Sequence, residues 1–136
     1  MAGANDVNII SIPLGDPGGN NKQLYALRAP QQVHGGGISI LEAYAVNGAA
    51  AGPGTSFSLA LHRYTSAGTP ALGGTIAGTI GGAGGAWVSG APKEFDVADG
   101  FVPAGEWLVI QYDEQTNGNP TLGYVNIHYV MGRGAQ

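Results

Sequence analysis

Cysteine is absent from the 136 residues. No disulfide framework can form, and the redox state of the compartment is left open. Charge is scarce. Asp, Glu, Lys and Arg make up 10% of the chain, against about 25% in ordinary soluble domains. A chain this poor in charge is expected to cover much of its exterior with other protein. The five cations, Lys22, Arg28, Arg63, Lys93 and Arg133, are scattered, and the net charge is −4. No basic stripe is available to neutralise phosphates, so direct nucleic-acid binding is not expected. Long hydrophobic runs are missing as well. No stretch approaches the roughly 18–20 apolar residues of a bilayer-spanning helix. Residues 1–6 lack the basic and apolar segments of a secretory signal. The chain therefore reads as soluble, made in a cytoplasm and without a membrane partner. Convincing helical periodicity is also absent from every window of about 11 residues or more.

What the chain has in abundance is glycine, 25 residues, together with 8 prolines. Glycine inside a helix costs roughly 0.5–1 kcal/mol relative to alanine, whereas between short strands it makes tight turns. The apolar residues follow that division. Strands are expected at 23–29, 38–46, 56–65, 75–80, 86–89, 93–97, 106–114 and 124–131. The clearest is 56–65, where Phe57, Leu59 and Leu61 alternate with Ser58, Ala60 and His62. In 38–46, Ile38, Ile40, Tyr44 and Val46 are expected on one face, interrupted by Glu42. In 106–114, Leu108, Ile110 and Tyr112 oppose Trp107, Val109 and Gln111. In 93–97, Phe95 and Val97 point inward. Seven or eight such strands with Gly/Pro-rich turns predict one all-β domain, a sandwich, jelly roll or barrel. Long connections at 47–54 and 66–74 favour a Greek-key or jelly-roll crossover. Residues 73–85 are a glycine-rich stretch, read as a loop with a weak edge strand or as a surface where missing side chains let another backbone approach. Residues 1–22 read as an extended N-terminal arm, because Pro13 argues against a central strand and a dense turn cluster follows. The domain is placed at 23–131, with a short tail at 132–136.

Motifs for chemistry fail one by one. His34-Gly35-Gly36-Gly37 matches a glycine-rich oxyanion motif, but no nucleophile elbow accompanies it, and Ser58 stands where its second glycine is needed. Asp113-Glu114-Gln115-Thr116-Asn117-Gly118 partly matches a calcium loop, yet Tyr124 occupies the position of the bidentate Glu. A polar hairpin at Asn117-Gly118 explains it better. A looser calcium site from Asp96, Asp99, Asp113 and Glu114 is the remaining alternative. His34, His62 and His128 have no local ligand spacing. Asp113 and Glu114 point to opposite faces of a strand, so they cannot work as a facing acid and base. No enzyme, metal or cofactor is expected. Trp87, Trp107, Tyr112, Tyr124 and Tyr129 are read as core or subunit packing, with an aromatic sugar platform as the alternative.

Four runs carry a family resemblance: GISILEAY (37–44), FSLALH (57–62), FVPAGEWLVIQY (101–112) and GYVNIHYV (123–130). Across residues 23–131 the chain resembles capsid decoration, or cement, proteins of tailed bacteriophages with a jelly-roll-like antiparallel β-sandwich. The resemblance implies a homotrimer at three-fold points of an icosahedral shell, on the outer surface of the virion, bound to the major capsid protein. Contact candidates are Val7, Ile9, Ile12 and Leu14 in the arm, and Tyr25, Arg28, Tyr44, Arg63 and Tyr64, since Tyr and Arg are enriched at interfaces. The rival reading is a carbohydrate-binding module of a phage fibre or spike, with a glycan as its partner. Another head–tail or tail-tube component is a third, although such proteins usually show a longer insertion loop or a helix.

Overall fold

The computed structural model describes residues 6–15, 22–31, 36–47, 56–82, 92–116 and 122–132. No helix occurs among them. The strands are β1 (Asn8–Gly15), β2 (Lys22–Arg28), β3 (Ile38–Asn47), β4 (Ser56–Tyr64), β5 (Pro70–Gly82), β6 (Pro92–Glu94), β7 (Phe101–Val102), β8 (Trp107–Thr116) and β9 (Leu122–Met131). One sheet runs β1-β9-β3-β6, with β7 also on β3, and the other runs β2-β8-β4-β5. Every pairing is antiparallel.

The pairs are nested. β1 lies on β9, β2 on β8, β3 on β6 and β7, and β4 on β5. The chain is one long hairpin rolled up, and β9–β3 and β8–β4 contacts join its turns into two sheets. That is the jelly-roll order of an eight-stranded double sheet, with the seventh strand position shared by the short β6 and β7. The all-β, two-sheet sandwich expected from the alternation is therefore present, with nine strands among the described residues.

Alternation builds the core. Leu108, Ile110 and Tyr112 of β8, Leu59 and Leu61 of β4, and Val125 and Ile127 of β9 are all fully buried between the sheets. Burying each such aliphatic side chain is worth about 1.5–3 kcal/mol. Phe95 is buried and Val97 packs partly against the same cluster, as their spacing predicts. The β7 end is locked by close approach. The Gly100 carbonyl accepts a 2.8 Å hydrogen bond from the Ile40 N–H. A Cβ on Gly100 would lie 2.2 Å from the Ile40 carbonyl oxygen.

Three expectations need correction. First, residues 8–15 are not an arm beside the domain: β1 pairs from Asn8 opposite Tyr129 to Gly15 opposite Leu122. Ile10, Ile12 and Leu14 turn into the protein's own core. Pro13 is tolerated because β1 ends the sheet order, where a missing N–H breaks no ladder. Second, Tyr44 and Val46 do not share a face with Ile38 and Ile40. The register slips between Ile40 and Glu42, so Leu41 is a bulge residue. The inward phase then moves to Ala43 and Ala45, both buried. Third, 66–74 is not a crossover. β4 and β5 form a hairpin closed by a Thr65–Thr69 turn, with the Thr65 N–H 2.7 Å from the Thr69 carbonyl oxygen. The glycine-rich stretch from 73 to 82 then continues as edge strand β5. The expected strand at 86–89 lies outside the described residues.

Candidate functional site: the outer faces of the two sheets

The inner faces are consumed by the core, so any recognition surface is sought on the outer ones. On the first sheet, the register sets three outward rows across β1, β9 and β3. Ile9 lies opposite His128, which lies opposite Glu42. Ser11, Asn126 and Tyr44 form the next row, and Pro13, Tyr124 and Val46 the one after. Val130, the next outward residue of β9, is covered, and Val7, just before β1, is exposed. The middle of the face is a polar stripe. The Ser11 hydroxyl donates to Asn126 Oδ1, and Asn126 Nδ2 donates to the Tyr44 hydroxyl at 2.8 Å. His128 Nδ1 is 3.1 Å from Glu42 Oε1, and the Tyr44 and His128 rings are 5.9 Å apart. At either end of the stripe stand exposed apolar side chains: Val7, Ile9 (63% exposed) and Leu41 at one end, Tyr124 at the other. The bulge is what puts Leu41 on the surface.

The outer face of the second sheet is different. Tyr25 of β2, Trp107 and Val109 of β8, and His62 and Tyr64 of β4 share it. Tyr25 meets Trp107 edge-on at 5.4 Å and Tyr64 edge-on at 5.7 Å between ring centres. His62 meets Tyr64 edge-on at 5.9 Å. The Arg28 guanidinium lies 5.5 Å over the Trp107 ring while its Nε donates to the Gly105 carbonyl at 3.0 Å. The Tyr25 hydroxyl reaches the Gly68 carbonyl in the β4–β5 turn, at 3.2 Å. To do so from β2 it must lean across β8 toward the far side of β4. Val109 points outward between Tyr25 and His62 in register, yet it is 0% exposed. The rings cover it.

Next to the rings is a cleft of about 180 Å³, lined by Lys22, Gln23, Ser58, Ala60, Gln111, Tyr112 and Asp113. Gln111 belongs to both parts, since its Nε2 donates to the Tyr64 hydroxyl at 3.0 Å. Beyond this face, Leu72 stands 99% exposed on β5. It sits where four β5 residues, 71–74, lie opposite the single Arg63 of β4. Gly74 is required there: a Cβ would fall 2.9 Å from the carbonyl oxygens of both Ala71 and Arg63.

The contact candidates are thus divided. Tyr25, Arg28 and Tyr64 gather on the second sheet's outer face. Tyr44 sits in the polar stripe of the first, with Val7 and Ile9 exposed on the same side. Ile12 and Leu14 face the core and are removed from the set. Arg63 takes the inward phase opposite Leu108, at the end of the sandwich, where its Nη1 is 2.7 Å from Glu106 Oε1. The aromatic set does not assemble as one platform. Tyr112 and Tyr129 join the core, Tyr124 lies on the first sheet, Trp107 lies on the second, and Trp87 is outside the described residues. Tyr25 and Tyr64 are the partners that Trp107 has instead.

His62 and His128 lie on opposite outer faces, and His34 is outside the described residues, so the described pair cannot share a metal. Asp99 accepts from the Phe101 N–H at 3.3 Å and caps the turn before β7. Among the described residues no group of three His, Asp or Glu side chains is placed to hold a metal ion. Compared with protein-family models, with curated proteins and with solved structures, the chain matches none.

Proposed function

We propose that this chain is a structural virion protein that decorates and stabilises an icosahedral phage capsid, binding the major capsid protein as a homotrimer. The observation that carries the reading is the outer face of the β1-β9-β3-β6 sheet. It presents Val7, Ile9, Leu41 and Tyr124 to solvent around a hydrogen-bonded polar stripe. Exposed apolar groups combined with satisfied polar ones are the composition of a protein interface. The face also ends in β1, an edge strand, and such an edge is a liability until a partner covers it. A jelly roll suits the task, because its rigid sheets offer area with few moving parts. A trimer touching several shell subunits gains avidity from weak single contacts. Leu72, protruding at the opposite edge, offers a second contact point for a neighbouring subunit.

The purified protein is expected to run as a trimer in size-exclusion chromatography with light scattering. It should also co-sediment with expanded capsids of the phage that encodes it. The double variant Ile9→Glu, Leu41→Glu should lose co-sedimentation while keeping its β-sheet circular dichroism. A monomer that ignores the capsids would sink the reading.

A further inference from the structure

We propose that the outer face of the β2-β8-β4-β5 sheet is a binding trough for an uncharged polysaccharide laid along β8. The site is independent of the docking reading, since it occupies the opposite face of the sandwich. Its length follows from the strand. Trp107 to Asp113 spans six residue steps, about 20 Å at roughly 3.3 Å per residue. That is room for several sugar rings in a row.

The two halves of the trough supply the two things a sugar ring needs. Tyr25 is 46% exposed and is held from three sides, by Trp107, by Tyr64 and by the hydrogen bond to Gly68. A fixed aromatic surface stacks against the C–H face of a pyranose, and its rigidity lowers the ordering cost of binding. The cleft beyond it is lined by amides, a hydroxyl and one charge of each sign. Such groups pair with sugar hydroxyls, which both donate and accept. The cleft's volume is about 180 Å³. Gln111 joins the halves, because it lines the cleft and holds the Tyr64 hydroxyl.

Other occupants fit less well. A protein partner would also use Tyr and Arg, but it needs a dry apolar centre, and here Val109 is wholly covered while the adjoining cleft is lined mainly by polar side chains. A single-stranded nucleic acid would use the rings, but it needs a cationic groove. Here Lys22 is offset by Asp113, and Arg28 is engaged on Trp107 and Gly105. An acidic polysaccharide meets the same objection.

The test is affinity electrophoresis of the full chain in gels containing soluble neutral polysaccharides (a β-1,3-glucan, a β-1,4-glucan, a xylan, a galactomannan), with a polyuronate as the acidic probe. Retardation by at least one neutral polymer is expected, little changed by 0.5 M salt. Tyr25→Ala should weaken it at least tenfold. Because that variant also uncovers Val109, Ala60→Phe provides a second arm: it fills the cleft from the solvent side and should weaken binding at least tenfold with unfolding unchanged. No retardation by any neutral polymer overturns the proposal. So does retardation that Ala60→Phe and Tyr25→Ala leave intact, or retardation by the polyuronate alone that salt abolishes.

Discussion

The two outer faces are made from the same nested hairpin, yet they differ in how much apolar side chain they leave in solvent. On the β1-β9-β3-β6 sheet Val130 of the inner strand β9 is covered, but Ile9 and Leu41 stand in solvent beside a polar stripe. On the β2-β8-β4-β5 sheet, Val109 is roofed by aromatic rings and no water reaches it. A residue on the outward phase of a strand is therefore not exposed by default; its cross-strand neighbours decide. Ile9 lies on an edge strand with a neighbour on one side only, His128 of β9, whereas Val109 lies on β8 between β2 and β4, whose Tyr25 and His62 flank it from both sides. The first face is left needing a cover, and the second has built its own.

The sharpest way to break this contrast is to attack what the faces share. Ile110→Ala in one sheet and Ile127→Ala in the other should each cost about 2–5 kcal/mol, with a single unfolding transition in urea. Two transitions in either variant would mean that the sheets do not form one cooperative core. Next in size is the roof itself. Tyr25→Ala should cost about 2 kcal/mol, since it removes two ring contacts and exposes Val109. Ile9→Ala, of comparable exposure, should stay within about 0.5 kcal/mol. Equal costs by denaturant titration would erase the distinction between a roofed and an open face. Asn126→Ala comes third, at about 1 kcal/mol, because it takes partners from both Ser11 and Tyr44 in the polar stripe. No loss there would mean that water replaces both bonds freely. The smallest effect is expected from Ile9→Glu with Leu41→Glu, within about 0.5 kcal/mol of the parent in stability. A large destabilisation would place these side chains in the fold rather than on a docking surface.

Much of the sandwich was legible because period-2 alternation survives in β4, β8 and β9 without interruption. Leu59 and Leu61, or Val125 and Ile127, point inward wherever the strand is read from. The inward phase of β3 is not legible past Ile40, since a bulge adds one residue and inverts it, and nothing in Ile-Leu-Glu-Ala marks the bulge. β1 is not legible as a strand of the sandwich because Pro13 tells against a central strand but says nothing against an edge. The short β7 has only two residues and no period to detect. The second face was half visible: Trp107, Val109 and Gln111 share a phase, as do His62 and Tyr64. Their meeting with Tyr25 and Arg28 depends on strand order. The slip between Tyr25 and Leu27 is also needed, since it returns Arg28 to the side of Trp107, and neither feature has a local signature.

The nested pairing also sets a timetable. Ser11 and Asn126, bonded side chain to side chain, are 115 positions apart. At about 5–20 residues per second, a ribosome needs on the order of ten seconds to travel between them. Throughout that interval the first strand has been made and its mate has not. Structures dominated by such distant pairings also close slowly once complete. A nascent chain of this kind waits with Ile10, Ile12 and Leu14 uncovered, so its yield in a cell will depend on what shields those side chains during the wait.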